Sequence, residues 1–348
     1  MPGGRHRDRN SWSWSGALTD QVLITGGAGF IGFHLAKRLA EEGYEISLAD
    51  NYSRGALDPS LQRLADRKAV RLVEVDFLDE EQTLRLGAEY SIIFHLAAII
   101  GVRHVLQRPY DVLSQNVKIL DNVIGLARHQ RKLSRLFFAS TSEVYAGTLK
   151  YFSLEIPTPE TTPLAVTALE SPRTSYMLSK IMGEAMLHQS GLPFTIFRPH
   201  NVYGPRMGMA HVIPEQLRNA FDAEEDSVVP IHSPTHKRAF CYVDDAVEML
   251  RRMILESKTI GQTLNVGTED PEVTIREVVE TCIAVVGKSL RLEDRPDTEG
   301  SPVRRAPNME RLSELIHFRA EVSLREGIDR TWHWYRDNVF RSGGISAQ

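Results

Sequence analysis

The segment Thr25-Gly26-Gly27-Ala28-Gly29-Phe30-Ile31-Gly32 constrains this chain more than any other. It follows Gln21–Thr25 (QVLIT), a short apolar run of the kind buried on both faces of a sheet. It precedes FHLAKRLAEEGY, an amphipathic helical pattern that stops at Gly43. Glycines at 26, 29 and 32, between a strand and a helix, each have a physical use. The first permits a tight turn, the second lets backbone amides approach a pyrophosphate, and the third lets the helix pack closely on the strand. Phosphate charge then meets the positive end of the helix. We therefore take Gly26, Gly29, Phe30, Ile31 and Gly32 as cofactor-binding positions for a dinucleotide. The next strand, Glu45–Ala49, runs into Asp50, whose carboxylate can accept both ribose hydroxyls of NAD and repels a 2′-phosphate. Asn51 is grouped with it. NAD is thus the expected cofactor, with Arg54 leaving an opening for NADP.

Further runs at Val70–Val75, Ser91–Leu96, Leu133–Ala139 and Phe194–Arg198 read as strands, and Val112–Gln130 and Tyr176–Gln189 as helices. Strands alternating with helices argue for an α/β fold, a Rossmann-type doubly wound parallel sheet. Gly147 to Thr174 has no sustained period and reads as one long loop. The short segments beyond about residue 200 suit a smaller C-terminal substrate-binding lobe. The expected organisation is a disordered tail at 1–20, a mainly NAD-binding part at 21–195 and a mainly substrate-binding part at 196–340. The tail carries Trp12 and Trp14 but no apolar core of a secretory signal.

Composition limits the function classes. The 348 residues carry 41 Lys plus Arg against 45 Asp plus Glu, a net charge of −4, which gives no general reason to expect nucleic-acid binding. No apolar run reaches the ~20 residues of a membrane span. Cys241 and Cys282 make no disulfide framework or zinc motif, so no metal is expected. These features suit a reduced, cytoplasmic protein.

Two further constellations bear on chemistry. Tyr176 and Lys180 stand four apart on a predicted helix and project from one face. A tyrosine with a pKa of ~10 is a poor base at neutral pH, and a nearby ammonium stabilises the phenolate. Ser140-Thr141-Ser142-Glu143-Val144-Tyr145 lies at the carboxyl end of a strand, where open α/β sheets bind ligands. A hydroxyl there can orient a substrate alcohol, and Glu143 can act as acid or base.

Together these motifs resemble the extended short-chain dehydrogenase/reductase family, in its nucleotide-sugar epimerase, dehydratase and decarboxylase branch. The matching pieces are TGGAGFIG, Asp50, Asp76, HLAA at 95–98, Asn116 and STSEVY at 140–145. They continue through SYMLSK at 175–180, FRPHNVYGPR at 197–206, KRAFCYVDDAVE at 237–248 and LNVG at 264–267. The resemblance implies that Asp76 and Phe77 flank the adenine and that Leu96, Ala97 and Ala98 line the cofactor cleft. It makes Thr141 the active-site hydroxyl, with Ser142 and Glu143 beside it, Tyr176 the base, and Lys180 its partner and a nicotinamide-ribose ligand. Asn201 and Arg238 would hold the sugar diphosphate, with Arg206 a further candidate. It also implies a homodimer through the helices near 105–130 and 176–190.

Members share oxidation of the sugar C4 by NAD to a 4-keto intermediate. A 4,6-dehydratase of this kind has Asp-Glu after the active Thr, whereas Ser142-Glu143 here matches UDP-glucuronate decarboxylases. SPRTSYMLSK and SPVRRAP at 301–307 lean the same way, with Arg305 placed to hold a C6 carboxylate. AAIIGVRHVLQRPY at 97–110 is closer to an epimerase segment, and Ala146 replaces a usual glycine. The expected activity is therefore decarboxylation of UDP-glucuronate, giving a UDP-4-keto-pentose or UDP-xylose. The alternative is 4-epimerisation of a UDP-hexose or UDP-uronate, and 4,6-dehydration comes third. A non-catalytic dinucleotide sensor would be expected to lack Tyr176 or Lys180, and both are present.

Overall fold

A computed structural model describes residues 20–55, 57–298 and 301–341, so the tail expected at 1–20 falls outside the described residues except for Asp20. Seven parallel strands form one sheet: β1 (Gln21–Thr25), β2 (Glu45–Asp50), β3 (Val70–Glu74), β4 (Ile92–His95), β5 (Arg135–Ala139), β6 (Phe194–Pro199) and β7 (Gln262–Val266). Their order is β7-β6-β5-β4-β1-β2-β3. The chain leaves β1 in one direction and returns beyond it in the other, so a crevice opens at the carboxyl ends of β1 and β4.

Alternation along each strand builds the two layers. Phe94, Phe137 and Phe197 face one side, where the rings of Phe94 and Phe137 stack at 4.2 Å. Ile93, Leu136, Phe138 and Ile196 face the other. Both faces are dry because helices cover them, which is why the strands read as continuous apolar runs rather than alternating ones. The Phe30–Glu41 helix packs on one side through Leu35, Ala36 and Leu39. The Pro109–His129 and Pro172–Gln189 helices pack against each other on the opposite side.

Several elements differ from the sequence-based expectation. The long loop from 147 is interrupted at its start by a helix, Ala146–Tyr151, and the helix expected from Tyr176 begins at Pro172. Proline at the first helical position costs no hydrogen bond there, so it marks the true start. Beyond residue 200 the chain is more regular than its Pro and Gly content suggests. It forms helices at Val212–Asp222, Val243–Leu255, Ile275–Val286 and Leu324–Tyr335. Gln262–Val266 joins the main sheet beside β6 as its seventh strand.

Candidate active site

Two walls of one cleft converge on the crevice at the strand ends. The first is the glycine turn. Gly26 has φ +68°, and a Cβ there would stand 2.8 Å from the Ala97 amide nitrogen. At Gly32 a Cβ would meet the Gly26 carbonyl oxygen at 2.6 Å. Only glycine allows the loop, the helix start and the β4 end to approach this closely. The helix that follows begins at Phe30 after Gly29 as N-cap, with no side chain capping it, which leaves its first amides for an anion.

Asp50 closes the far side of the turn. Its carboxylate accepts hydrogen bonds from the Ala28 amide at 3.0 Å and the Tyr52 amide at 2.9 Å. Burial pushes its carboxyl above the ordinary range, and those amides act against the shift. A buried carboxylate with accepting capacity left is a fitting partner for a ribose diol. Asn51 accepts from the Ser53 amide at 3.1 Å and shapes the loop. Asp76 accepts from the Leu78 amide, and Asn122 holds the Phe77 carbonyl at 2.8 Å. At the β4 end, Thr25 Oγ1 accepts from the amides of Leu96 and Ala97. Asn116 makes two hydrogen bonds to the Ile99 backbone and fixes the segment that follows. Gly26, Gly29, Gly32, Asp50, Asn51, Asp76, Phe77 and residues 96–99 border a single cavity of ≈ 640 Å³, so the turn and the Asp50 loop offer a diphosphate cradle and a ribose acceptor together.

The second wall comes from the β5 end and the Pro172–Gln189 helix. Thr141 caps a short turn by accepting from the Glu143 amide at 3.2 Å, and its hydroxyl also hydrogen-bonds Tyr176. Lys180, buried, donates to the Ala139 carbonyl at 2.8 Å. Burial lowers its pKa to about 8, opposed by Glu184. The Tyr176 phenol is pushed well above its ordinary value, first by burial and then by Glu143, with the Thr141 hydrogen bond and Arg54 opposing. In the free protein the Lys180 ammonium donates to the Ala139 carbonyl and lies 5.8 Å from the centre of the Tyr176 ring.

Arg305 arrives from a distant strand. Its Nη1 donates to Glu143 Oε1 at 2.7 Å and to Ser142 Oγ at 3.4 Å, while its Nε is buried without a partner. Asn201 borders the same cavity and donates to the Ala239 carbonyl at 3.0 Å.

All but one of the residues expected to react or to bind cofactor or substrate border this cavity. The exception is Arg238, which is buried away from it and donates to Ser301 Oγ at 3.0 Å and to the Lys237 carbonyl. Arg206 does reach the cavity edge, but its guanidinium is committed to Asp58 and to the Ala28 carbonyl. It braces the glycine turn through these bonds and keeps only a buried Nε without a partner. Sequence reasoning missed Arg173, His211, Trp334 and Asn338, which also line the cleft. Arg173 lies one turn before Tyr176 on the same helix, and that spacing was the available signal. Nothing local marks the others, since they come from separate segments of the second half. Among the described residues no cluster of His, Cys, Asp or Glu could hold a metal ion, and no helix is long and apolar enough to cross a membrane.

Comparison with known proteins agrees with this geometry. The NAD dependent epimerase/dehydratase family model matches residues 22–267. A UDP-N-acetyl-alpha-D-glucosaminuronate decarboxylase of Bacillus cytotoxicus is 31% identical over 332 residues, covering 92% of this chain and 99% of that protein. UDP-glucuronic acid decarboxylase 5 of Arabidopsis thaliana is 31% identical over 316 residues, covering 88% and 87%. Among solved structures, UDP-glucose 4-epimerase of Thermotoga maritima with UDP-glucose superposes with a TM-score of 0.78. That match has 25% identity and covers 92% of this chain and 100% of that one.

Proposed function

The chain belongs to the NAD-dependent epimerase/dehydratase family, and from that premise we propose that it is a UDP-glucuronate decarboxylase using NAD. The observation that carries this reading is Arg305, a guanidinium beside Thr141, Ser142 and Glu143 with a buried Nε still unpaired. A planar carboxylate at C6 of the sugar suits such a fork. Two relatives that act on UDP-uronates, by their names, support it over nearly the whole chain.

The glycine turn, Asp50, Asn51, Asp76, Phe77 and the 96–98 segment would hold NAD, which when bound supplies the acceptor for C4 oxidation. In this reading residues 21–195 mainly bind NAD and 196–340 mainly bind the sugar nucleotide. Thr141 orients the sugar 4-hydroxyl, and Tyr176 takes its proton. Lys180 stays charged close by. Arg305 holds the carboxylate of the 4-keto uronate out of the ring plane. The C5–C6 bond then breaks, its electron pair delocalises into the C4 carbonyl, and carbon dioxide leaves. Glu143, displaced from Arg305 by the substrate carboxylate, takes up a proton from water and returns it to C5. A protonated acid beside the forming carbanion is ordinary general acid catalysis. Exposed Leu106, Tyr110 and Met182, on neighbouring helices, support a homodimer through that face.

The test is to incubate the purified protein with UDP-glucuronate and NAD, and in parallel with UDP-N-acetylglucosaminuronate, and follow carbon dioxide and the UDP-sugar product. Carbon dioxide with a UDP-pentose supports the proposal. UDP-galacturonate without carbon dioxide replaces it with 4-epimerisation, and no turnover of any sugar nucleotide removes the catalytic reading altogether.

A further inference from the structure

Among the buried ionisable groups, Glu184 takes no part in the chemistry above. It lies four residues beyond Lys180 and eight beyond Tyr176, so all three side chains leave one face of the Pro172–Gln189 helix. That face meets the end of β5 residue against residue. Tyr176 is hydrogen-bonded by Thr141, and Lys180 donates to the Ala139 carbonyl. Between them, Glu184 Oε1 accepts from Ser140 Oγ at 2.5 Å. The same carboxylate pairs with Arg198 on β6, through Nε at 2.8 Å and Nη2 at 2.6 Å. Arg198 donates in turn to the Tyr145 hydroxyl at 2.6 Å, which donates to Asn265 on β7 at 3.0 Å.

We propose that Glu184 is a positioning residue for this active site: it anchors Ser140, and hence the Thr141 turn, while sustaining the positive charge on Lys180. The inference rests on the reading of Thr141, Tyr176 and Lys180 as the reactive set. Its physical basis is an accounting of the charges around a buried ammonium. From its own helix Lys180 faces the neutral Tyr176 phenol and the Glu184 carboxylate. From β4 it faces His95, which is buried and neutral, with a pKa lowered to about 3. β5 contributes the Ala139 carbonyl and the face of the Phe138 ring, 4.9 Å from the ammonium, and from β6 comes Arg198, behind Glu184. Burial disfavours the ammonium, and among the described residues Glu184 is the one anion opposing it. Arg198 holds that carboxylate in a two-pronged pair and so fixes its place beside the helix.

The sign follows directly. Without the negative charge, Lys180 loses its proton at lower pH, so the active form disappears earlier on the alkaline side. Full-length wild type, Glu184→Gln and Glu184→Asp, each with NAD, would be labelled with [ε-13C]lysine and titrated by NMR, the Lys180 signal being assigned by its loss in Lys180→Arg. The midpoint should fall by at least about one unit in Glu184→Gln and stay within about half a unit of wild type in Glu184→Asp. The alkaline limb of kcat with UDP-glucuronate should move by the same amount, with KM changed less than about twofold. A purely structural role would lower kcat or Tm and leave that limb in place. If Glu184→Gln does not fold, Glu184→Gln with Arg198→Met removes the pair as a unit, and the midpoint should still fall, by less than in the single variant because a more distant cation goes with the anion. An unmoved Lys180 midpoint, or a moved midpoint with an unmoved kcat limb, overturns the proposal. Absence of turnover in the wild type would count against the functional reading alone, since the NMR titration still decides the Glu184–Lys180 link.

Discussion

Replacing Arg305 by alanine separates recognition of a uronate from recognition of a neutral sugar. In the free protein the guanidinium is held by Glu143 at 2.7 Å, and Arg305 is about a quarter exposed at 24%. A substrate carboxylate entering the site exchanges one carboxylate partner for another, so wild-type binding loses little in breaking the Glu143 pair. In Arg305→Ala the exchange is gone, and two penalties add. The substrate carboxylate loses a charge-assisted hydrogen bond worth about 1.5–3 kcal/mol. It also meets the unpaired Glu143 carboxylate. Two like charges about 6 Å apart repel by roughly 1 kcal/mol at an effective dielectric near 50, between the protein-surface and water values. The sum, about 2.5–4 kcal/mol, corresponds to a loss of about 70- to 900-fold in kcat/KM for UDP-glucuronate. UDP-glucose and UDP-galactose have no C6 charge, so their binding, read by isothermal titration with NAD-loaded protein, should change by less than about threefold. The double variant Arg305→Ala with Glu143→Gln removes the repulsion and should restore about fivefold in uronate affinity. The assay is initial velocity of carbon dioxide release together with these titrations. Equal losses for uronate and neutral sugars would refute the role of Arg305 as carboxylate ligand.

Other consequences are equally direct. Tyr176→Phe should lower turnover by at least about 100-fold while changing NAD affinity less than about threefold; turnover within tenfold of wild type would disprove its role as base. Asp50→Ala should weaken NAD binding by about 10- to 150-fold, the worth of hydrogen bonds to a charged acceptor, and narrow the preference for NAD over NADP, read by isothermal titration. Because burial raises the Asp50 carboxyl, NAD affinity should fall as the pH drops through a midpoint above the ordinary carboxylate range, and a midpoint at or below that range contradicts the assignment. His95 is neutral when folded, with a pKa lowered from 6.5 to about 3 by burial and by Lys180. The unfolded chain therefore binds the extra proton below about pH 6.5, and stability falls as pH drops through that point. By pH 5 the loss is about 2 kcal/mol, so the stability difference between pH 7.5 and pH 5 in urea should shrink by that amount in His95→Gln. An undiminished difference would mean that His95 is charged in the fold.

Much of this was legible before any coordinates. The glycine turn, the acidic end of β2 and the alternation of apolar runs with helical patterns identify the fold, because each is a local demand of backbone and burial. The same holds for Tyr176 and Lys180, whose spacing on a helix places them on one face. Legibility declined where residues act across the chain. Arg238 and Arg206 looked equivalent as cations suited to phosphate. One is capped by Ser301 and the other is tied to Asp58, partners 63 and 148 positions away. The helices beyond residue 200 were obscured by Pro and Gly at their boundaries, and β7 was not marked as a strand because its five residues, Gln262–Val266, are short and flanked by turn residues.

From the sequence alone came the class of fold, NAD as the cofactor and many of the residues around the cleft. All of these depend on patterns within a few turns of the chain. Only the tertiary structure decided which charges are spent and which are free. It turned Lys180 onto the Ala139 carbonyl, joined Arg305 to Glu143, and set Glu184 and Arg198 beneath the Thr141 turn. Burial and pairing control the state of an ionisable group, and both are properties of neighbours that the chain brings together from far apart.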